Sequence, residues 1–222
     1  MMFSRTLLAA ALSALAFRGT AHADDLALCE RTITRLPQVR NLNVLAQCQE
    51  LYFQNPDQES PPGSFNKLIL LGYRYLEIDP RAVPQYGNTV WALWSKWTNW
   101  SRDPVTMPDG EHKLDEALAL LRRGQLVNAT DAVYHFEAGN SVFTIAYSYS
   151  PELAPLAIEY YDLADRLLIT ISPMKIRTRL QIAHIHNWRG DKAGARAGYL
   201  RVLEIDPSNS VAKRALERLE QP

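Results

Sequence analysis

A five-residue string, Leu-Glu-Ile-Asp-Pro, occurs twice in this chain, at 76–80 and at 203–207. A glycine precedes each closing proline by 17 residues, Gly63 in the first case and Gly190 in the second. Two stretches that share both a pentad and its spacing should fold alike, so the chain reads as built from repeats. The second copy shows how one unit is made. Gly190 can adopt the conformation that ends a helix, and the Asp191 carboxylate can accept the free N–H groups that open the next. Ala195, Tyr199 and Val202 follow at i, i+4, i+7, which is one face of that helix. Pro207 stops it, and a further helix follows over Ser208 to Leu219.

The unit recurs upstream. Pro173 lies 34 residues before Pro207, and Ala157, Tyr161 and Ala164 repeat the spacing of the later helix face 38 residues ahead of it. The surplus of four predicts a helix about one turn longer than standard. Gly72 takes the place that Tyr199 holds in the last copy. A missing side chain there would let a neighbouring helix approach closely.

A small residue, an aromatic and a closing proline in this order resemble the tetratricopeptide repeat, a 34-residue pair of antiparallel helices. The consensus is weak: Arg179, Ile182, Ala183 and His186 stand where the family usually has Trp, Leu, Gly and Tyr. Residues 101–150 fit the repeat poorly. The resemblance implies an all-α fold in which helix hairpins stack as a right-handed solenoid. It also implies a protein or peptide partner in the inner groove, with no cofactor.

The rest of the chain also reads as helical. Helices are predicted over Asp25–Leu36, Leu42–Phe53, Phe65–Ile78, Pro84–Trp100 and Glu111–Arg123, the last closed by Gly124. Ala129–Tyr149 reads as a helix interrupted at Gly139-Asn140, and Ser150-Pro151 opens a long helix ending near Ile171. No stretch alternates as a strand would. Polar, Pro-rich breaks at 55–64 and 101–110 separate the parts. The expected organisation is one domain over 24–222. A helical hairpin over 24–54 caps it, degenerate repeats occupy 65–171, and the best-matching repeat with its closing helix occupies 174–220.

The first 23 residues read as a secretory signal: Arg5, an apolar run Leu7–Phe17, then Ala21-His22-Ala23 as a cleavage site. A run of 11 residues is too short to span a bilayer, which needs about 20. Periplasmic is the expected location, with secreted as second choice. Removing residues 1–23 leaves 199 residues with two more acidic than basic side chains. That balance gives no electrostatic reason to expect nucleic acid or an anionic membrane as a partner. Two cysteines, Cys29 and Cys48, are placed symmetrically about the turn at Pro37–Asn41. In an antiparallel hairpin their thiols share one height, so a disulfide is expected.

The candidate functional residues come from two helices. Trp91, Trp94, Trp97 and Trp100 are spaced three apart and fan over half a helix. Val83, Tyr86, Val90, Leu93, Trp94 and Trp97 share one apolar arc, and Trp91 falls about 100° off it. Two readings stand side by side, core packing and a groove-facing aromatic. In the tetratricopeptide frame Trp91, Trp94 and Ser95 fall at groove positions. So do Arg177, Leu180, His184, Asn187 and Trp188 in the later repeat. Rigid aromatics and Arg are the side chains that give strong contacts at interfaces.

His184 and His186 are two apart and lie on different faces, which is not a metal pair. No nucleophile elbow, phosphate loop or H-E-x-x-H occurs, so no enzyme is expected. The leading expectation is a non-catalytic protein- or peptide-binding scaffold. The alternative is a glycan or small-ligand binder, or a carbohydrate-active protein, using the Trp-rich helix 84–100. The sequence leaves the oligomeric state open.

Overall fold

The computed structural model describes residues 23–53, 64–95 and 110–221. The described residues form ten α-helices and contain no strand. They are α1 (Ala23–Thr34), α2 (Leu42–Phe53), α3 (Ser64–Ile78), α4 (Val83–Ser95) and α5 (Gly110–Val127). Then follow α6 (Ala132–Ser148), α7 (Ala154–Leu167), α8 (Pro173–Trp188), α9 (Lys192–Ile205) and α10 (Ser210–Leu219). Each helix packs on the next, and where a turn of a few residues joins two of them they run antiparallel. Even-numbered helices also meet one another. Phe53 of α2 stacks on Trp91 of α4, Tyr86 of α4 meets Tyr134 of α6 edge-on, and Phe143 of α6 meets Trp188 of α8. Contacts of both kinds make a solenoid, with the even helices forming one layer and the odd helices the other.

The repeated pentad folds the same way twice. Asp79 N–H donates to the Tyr75 carbonyl, and Asp206 N–H to that of Val202. The Asp carbonyls then accept from Ala82 and Asn209, and their Oδ1 atoms accept from the backbone N–H of Arg81 and Ser208 at 3.1 and 3.2 Å. Each proline sits two residues past the helix end, where it has no N–H to leave unsatisfied. The α8–α9 turn also matches its prediction. Gly190 has φ +79°, and Asp191 Oδ1 accepts from Gly194 N–H at 2.9 Å.

The chain bends the expected pattern in several places. α7 and α9 are both 14 residues long, so α7 has no extra turn. The surplus lies in the turn 168–172 and in the 16-residue α8. Pro173 is therefore not the counterpart of Pro207: it is the first residue of α8, capped by Ser172, whose Oγ accepts from Lys175 N–H. The α7 helix stops at Leu167 because the Lys175 ammonium takes the carbonyls of Asp165 and Leu168. α5 runs through Gly124, and α6 runs unbroken through Gly139-Asn140. Both glycines stay helical because a neighbouring ring occupies the space of a side chain. An added Cβ at Gly124 would collide with the Tyr134 hydroxyl, and one at Gly139 would lie 2.9 Å from the Tyr161 ring. The predicted end of α4 at Trp100, with Trp97, and the N-terminal signal fall outside the described residues.

Cys29 and Cys48 form the expected disulfide across the α1–α2 hairpin, with Cα atoms 5.3 Å apart. The hairpin is fastened to α3 by polar contacts. Arg74 donates to the carbonyls of Val39 and Pro37, and Lys67 reaches Glu30 at 2.6 Å. That hydrogen bond holds the Glu30 carboxyl below the usual carboxylate range. The buried apolar residues form two clusters. A large one runs from the hairpin to α8, and a small one comprises Ala183, Ala195, Tyr199, Val202 and Ala212.

Gly72 behaves as the spacing predicts: a Cβ there would overlap Thr89 Oγ1 on α4. Forcing α3 and α4 apart should cost about 1–3 kcal/mol, as overpacking generally does. Gly72→Ala should therefore lower the urea midpoint, and adding Thr89→Ala should recover much of the loss.

Candidate functional site

The helical pitch divides the even helices into a side that meets the odd layer and a side that is left open. On the open side α6 and α8 contribute a group of three aromatic rings. Phe143 lies 5.7 Å from Trp188 and 6.1 Å from Tyr147, and Tyr147 lies 5.6 Å from Trp188, centroid to centroid. The rings are mutually inclined and pack as one platform. Tyr147 is 51 % exposed and Trp188 is half-buried. Three turns nearer the start of α8, the exposed Arg177 guanidinium lies 5.2 Å from the Phe136 ring centre. Arg177 and Trp188 are 11 residues apart on one helix, so they are separated by roughly 16 Å along its axis.

Between them runs a short polar chain. Tyr161 O–H donates to Asn140 Oδ1 at 2.6 Å, and Asn140 Nδ2 donates to Glu137 Oε2 at 3.1 Å. Burial pushes the Tyr161 hydroxyl far above its ordinary range; Glu137 adds to that and Arg177 opposes it. A carboxylate and a guanidinium thus border the same stretch of the open face, with an amide between them.

The residues expected at the groove separate into three groups. Arg177 and Trp188 reach the open side, the first exposed and the second half-buried, while Asn187 is exposed about 100° round the helix from Trp188. Trp91 is half-buried and stacked on Phe53 at 4.9 Å and on Phe65 at 5.5 Å, so its ring serves the packing of α2, α3 and α4. Trp94 is only 2 % exposed and Ser95 is buried as well. The groove placement of these two is corrected: the apolar arc of α4 carries Trp94 inward, and Ser95, though off that arc, is covered as well. Leu180 packs against the small core, and His184 turns toward α9, where its Nδ1 lies 2.8 Å from the Tyr199 hydroxyl. The sequence does not single out Phe143 and Tyr147, because residues 101–150 carry no clear register. Their i, i+4 spacing is the available signal.

Among the described residues no group of three His, Cys, Asp or Glu side chains is placed to hold a metal. His186 pairs with Asp191 at 2.8 Å at the helix end, and His184 is committed to Tyr199. On α7, Asp165 is engaged nearby, pairing with Arg179 at 2.9 Å.

The fold defines an all-α, tetratricopeptide-like solenoid. A thermophilic TPR protein of Thermus thermophilus has a solved structure similar to it. The two match with a TM-score of 0.50 and 20 % sequence identity over 96 % of this chain and 95 % of that one. At that identity the likeness speaks for the fold alone. No sequence family model and no curated protein matches the chain.

These placements set two expectations. Trp91→Ala should cost about 3 kcal/mol or more, since it empties a stacked site. Trp188→Ala removes a half-exposed ring and should cost clearly less; equilibrium urea unfolding of both variants checks the difference. The second concerns acid. Burial lowers the His184 pKa, and Arg218 near the end of α10 lowers it further. Tyr199 faces the ring from α9. A folded-state pKa below the unfolded 6.5 means that the unfolded chain binds more protons as pH falls. Stability should drop on acidification below that value, and His184→Gln should flatten that acid-side loss in urea unfolding.

Proposed function

We propose that this protein is a non-catalytic scaffold that holds an extended segment of a partner protein along the open face of α6 and α8. The observation that carries this reading is the pairing of an exposed, aromatic-backed Arg177 with the Phe143–Tyr147–Trp188 platform on one helical face. Roughly 16 Å corresponds to about five extended residues. Arg and large rigid aromatics are the side chains that dominate interface energies. Asn140 and Glu137 offer hydrogen-bonding groups near the path.

The compartment is the cell envelope of a bacterium, with the periplasm as the site of action. Two features support it: the Arg5, Leu7–Phe17, Ala21-His22-Ala23 pattern, and the disulfide between Cys29 and Cys48. Disulfides persist in oxidising compartments. The glycan reading loses its motive where the residues are described, since Trp94 is buried and the half-buried Trp91 ring is stacked on Phe53 and Phe65.

A pull-down from periplasmic extract with folded bait tests the proposal. The parent chain should recover a partner. Arg177→Ala with Trp188→Ala should lose it by about tenfold or more while the variant stays folded, its melting temperature lowered by the lost Trp188 packing. Equal recovery by both chains would place the interaction elsewhere.

A further inference from the structure

The odd-numbered helices lie side by side over the even layer, and what fills the space between two of them differs along the stack. Between α7 and α9 the filler is Arg179, which reaches from α8 to the Asp165 carboxylate and the Arg201 carbonyl. Between α3 and α5 a cavity of about 300 Å³ is left instead. Tyr73 O–H bridges the two helices by donating to Glu116 Oε1 at 2.7 Å, and the cavity lies beyond that bridge, toward their C-terminal ends. Tyr86 of α4 forms its floor. That ring lies against Gly124, and its hydroxyl donates to the Pro80 carbonyl at 2.9 Å. Leu76 and Val127 supply apolar walls, and the exposed Glu77 and Arg123 stand at the mouth. At roughly 30 Å³ per water the space holds about ten waters, or a ligand of about ten non-hydrogen atoms.

The charged groups around the cavity are unequally engaged. Glu116 is taken by the Tyr73 hydroxyl and the Lys113 ammonium. Asp79 Oδ1 accepts from the Arg81 N–H and so closes its own turn. Glu77 Oε2 pairs with Arg74 at 2.8 Å, which leaves Oε1, and the side chain stays 63 % exposed. Arg123 forms no ion pair among the described residues. Its guanidinium lies 5.8 Å from the Tyr73 ring centre. From there its charge opposes the upward push that burial gives the Tyr73 and Tyr86 hydroxyls. The guanidinium thus stands beside both rings with hydrogen-bond donors to spare.

A cation with free donors, a carboxylate with one oxygen left and apolar walls between them define the ligand. A simple anion would be repelled by Glu77, and a simple cation by Arg123. A small molecule that bears both charges on one carbon, with an apolar branch, satisfies all three. A peptide does not, since each of its ends carries only one of the two charges. We propose that the α3–α5 cavity binds a free α-amino acid with an apolar side chain. Its carboxylate meets Arg123, its ammonium faces Glu77, and its side chain lies against Leu76, Val127 and the Tyr86 ring. Guanidinium is the group best shaped to take a carboxylate through two parallel hydrogen bonds. Apolar walls with a few placed polar groups are the usual make-up of a small-ligand site. The cavity is built by α3, α4 and α5, apart from the open face of α6 and α8, so this inference stands whether or not the scaffold reading does.

Calorimetric titration of the full chain with L-leucine tests it. Two temperatures about 15 °C apart are used, so that a vanishing heat at one cannot hide binding. L-leucine should bind at one site with a Kd of about 1 mM or tighter. Leucinamide, which lacks the carboxylate, and isocaproate, which lacks the ammonium, should bind at least about tenfold more weakly. Arg123→Gln and Glu77→Gln should each weaken L-leucine binding by about fivefold or more. Val127→Trp, which keeps both charges and fills the space, should do the same. All three positions are exposed, so the variants should keep the parent's helical signal. Absence of saturable binding of L-leucine at both temperatures overturns the proposal. Undiminished binding by Arg123→Gln overturns it too, as does leucinamide binding as tightly as L-leucine.

Discussion

How closely two helices can approach governs this molecule. A helix pair that is to bury its facing sides must bring the axes near, and the residue at the crossing sets the limit. Here that residue is repeatedly a glycine set against a specific partner: Gly72 against Thr89, Gly124 against Tyr134 and Tyr86, Gly139 against Tyr161, Gly198 against Ala183. Each crossing is a lock between a gap on one helix and a side chain on another. Tyr134 and Tyr161 could not be fully buried at these positions if a methyl group filled the gap. The aromatic core therefore depends on the absence of atoms elsewhere. The pairing also fixes rotation about the helix axis, which decides which side chains of α6 and α8 are left facing outward.

The parts legible in the sequence are those governed by neighbours in the chain. The Leu-Glu-Ile-Asp-Pro turns, the Gly190-Asp191 junction and the i, i+4, i+7 face of α9 each follow from local backbone hydrogen bonding and helical pitch. The disulfide is legible for a related reason, since a short hairpin places Cys29 and Cys48 by symmetry. The readings that need correction concern contacts between distant segments. Gly124 and Gly139 read as a stop and a break because glycine is a weak helix former. Rings supplied by α6, α4 and α7 keep both inside helices. Pro173 lies one repeat length from Pro207 and is still not its counterpart, because Lys175 ends α7 early and moves the surplus into the turn.

The tryptophans illustrate the same division. Periodicity separates Trp94 from Trp91 by angle, and the structure respects that: one is deep in the core and the other is at its border. Periodicity cannot say what stands beyond the border. Phe53 and Phe65 come from helices on either side of a break in the chain, and they meet the Trp91 ring that register alone would have left in a groove. Phe143 and Tyr147 show the reverse. They lie where no register is visible, and they form part of an open platform only because α8 is placed so that Trp188 packs across them.

α8 is the seam between the two cores. Its Ile182, Ile185 and Trp188 pack with the large cluster, while Ala183 and, beside it, Ile176 and Leu180 belong to the small one. The small cluster has few buried apolar groups. By area it must contribute a modest share of the total stability, and local opening concentrates where such contacts are sparse. The last repeat is therefore held to the body chiefly through α8, by the Asp165–Arg179 pair and by the packing around Trp188. A segment lying along α8 from Arg177 to Trp188 would touch side chains anchored to the body and a helix whose far side is anchored to the last repeat. Such a ligand binds only when both are in place, so it must stabilise their junction by the amount of its own affinity for the folded form. On the proposed reading, a partner held by Arg177 and the platform would therefore also brace the weakest repeat.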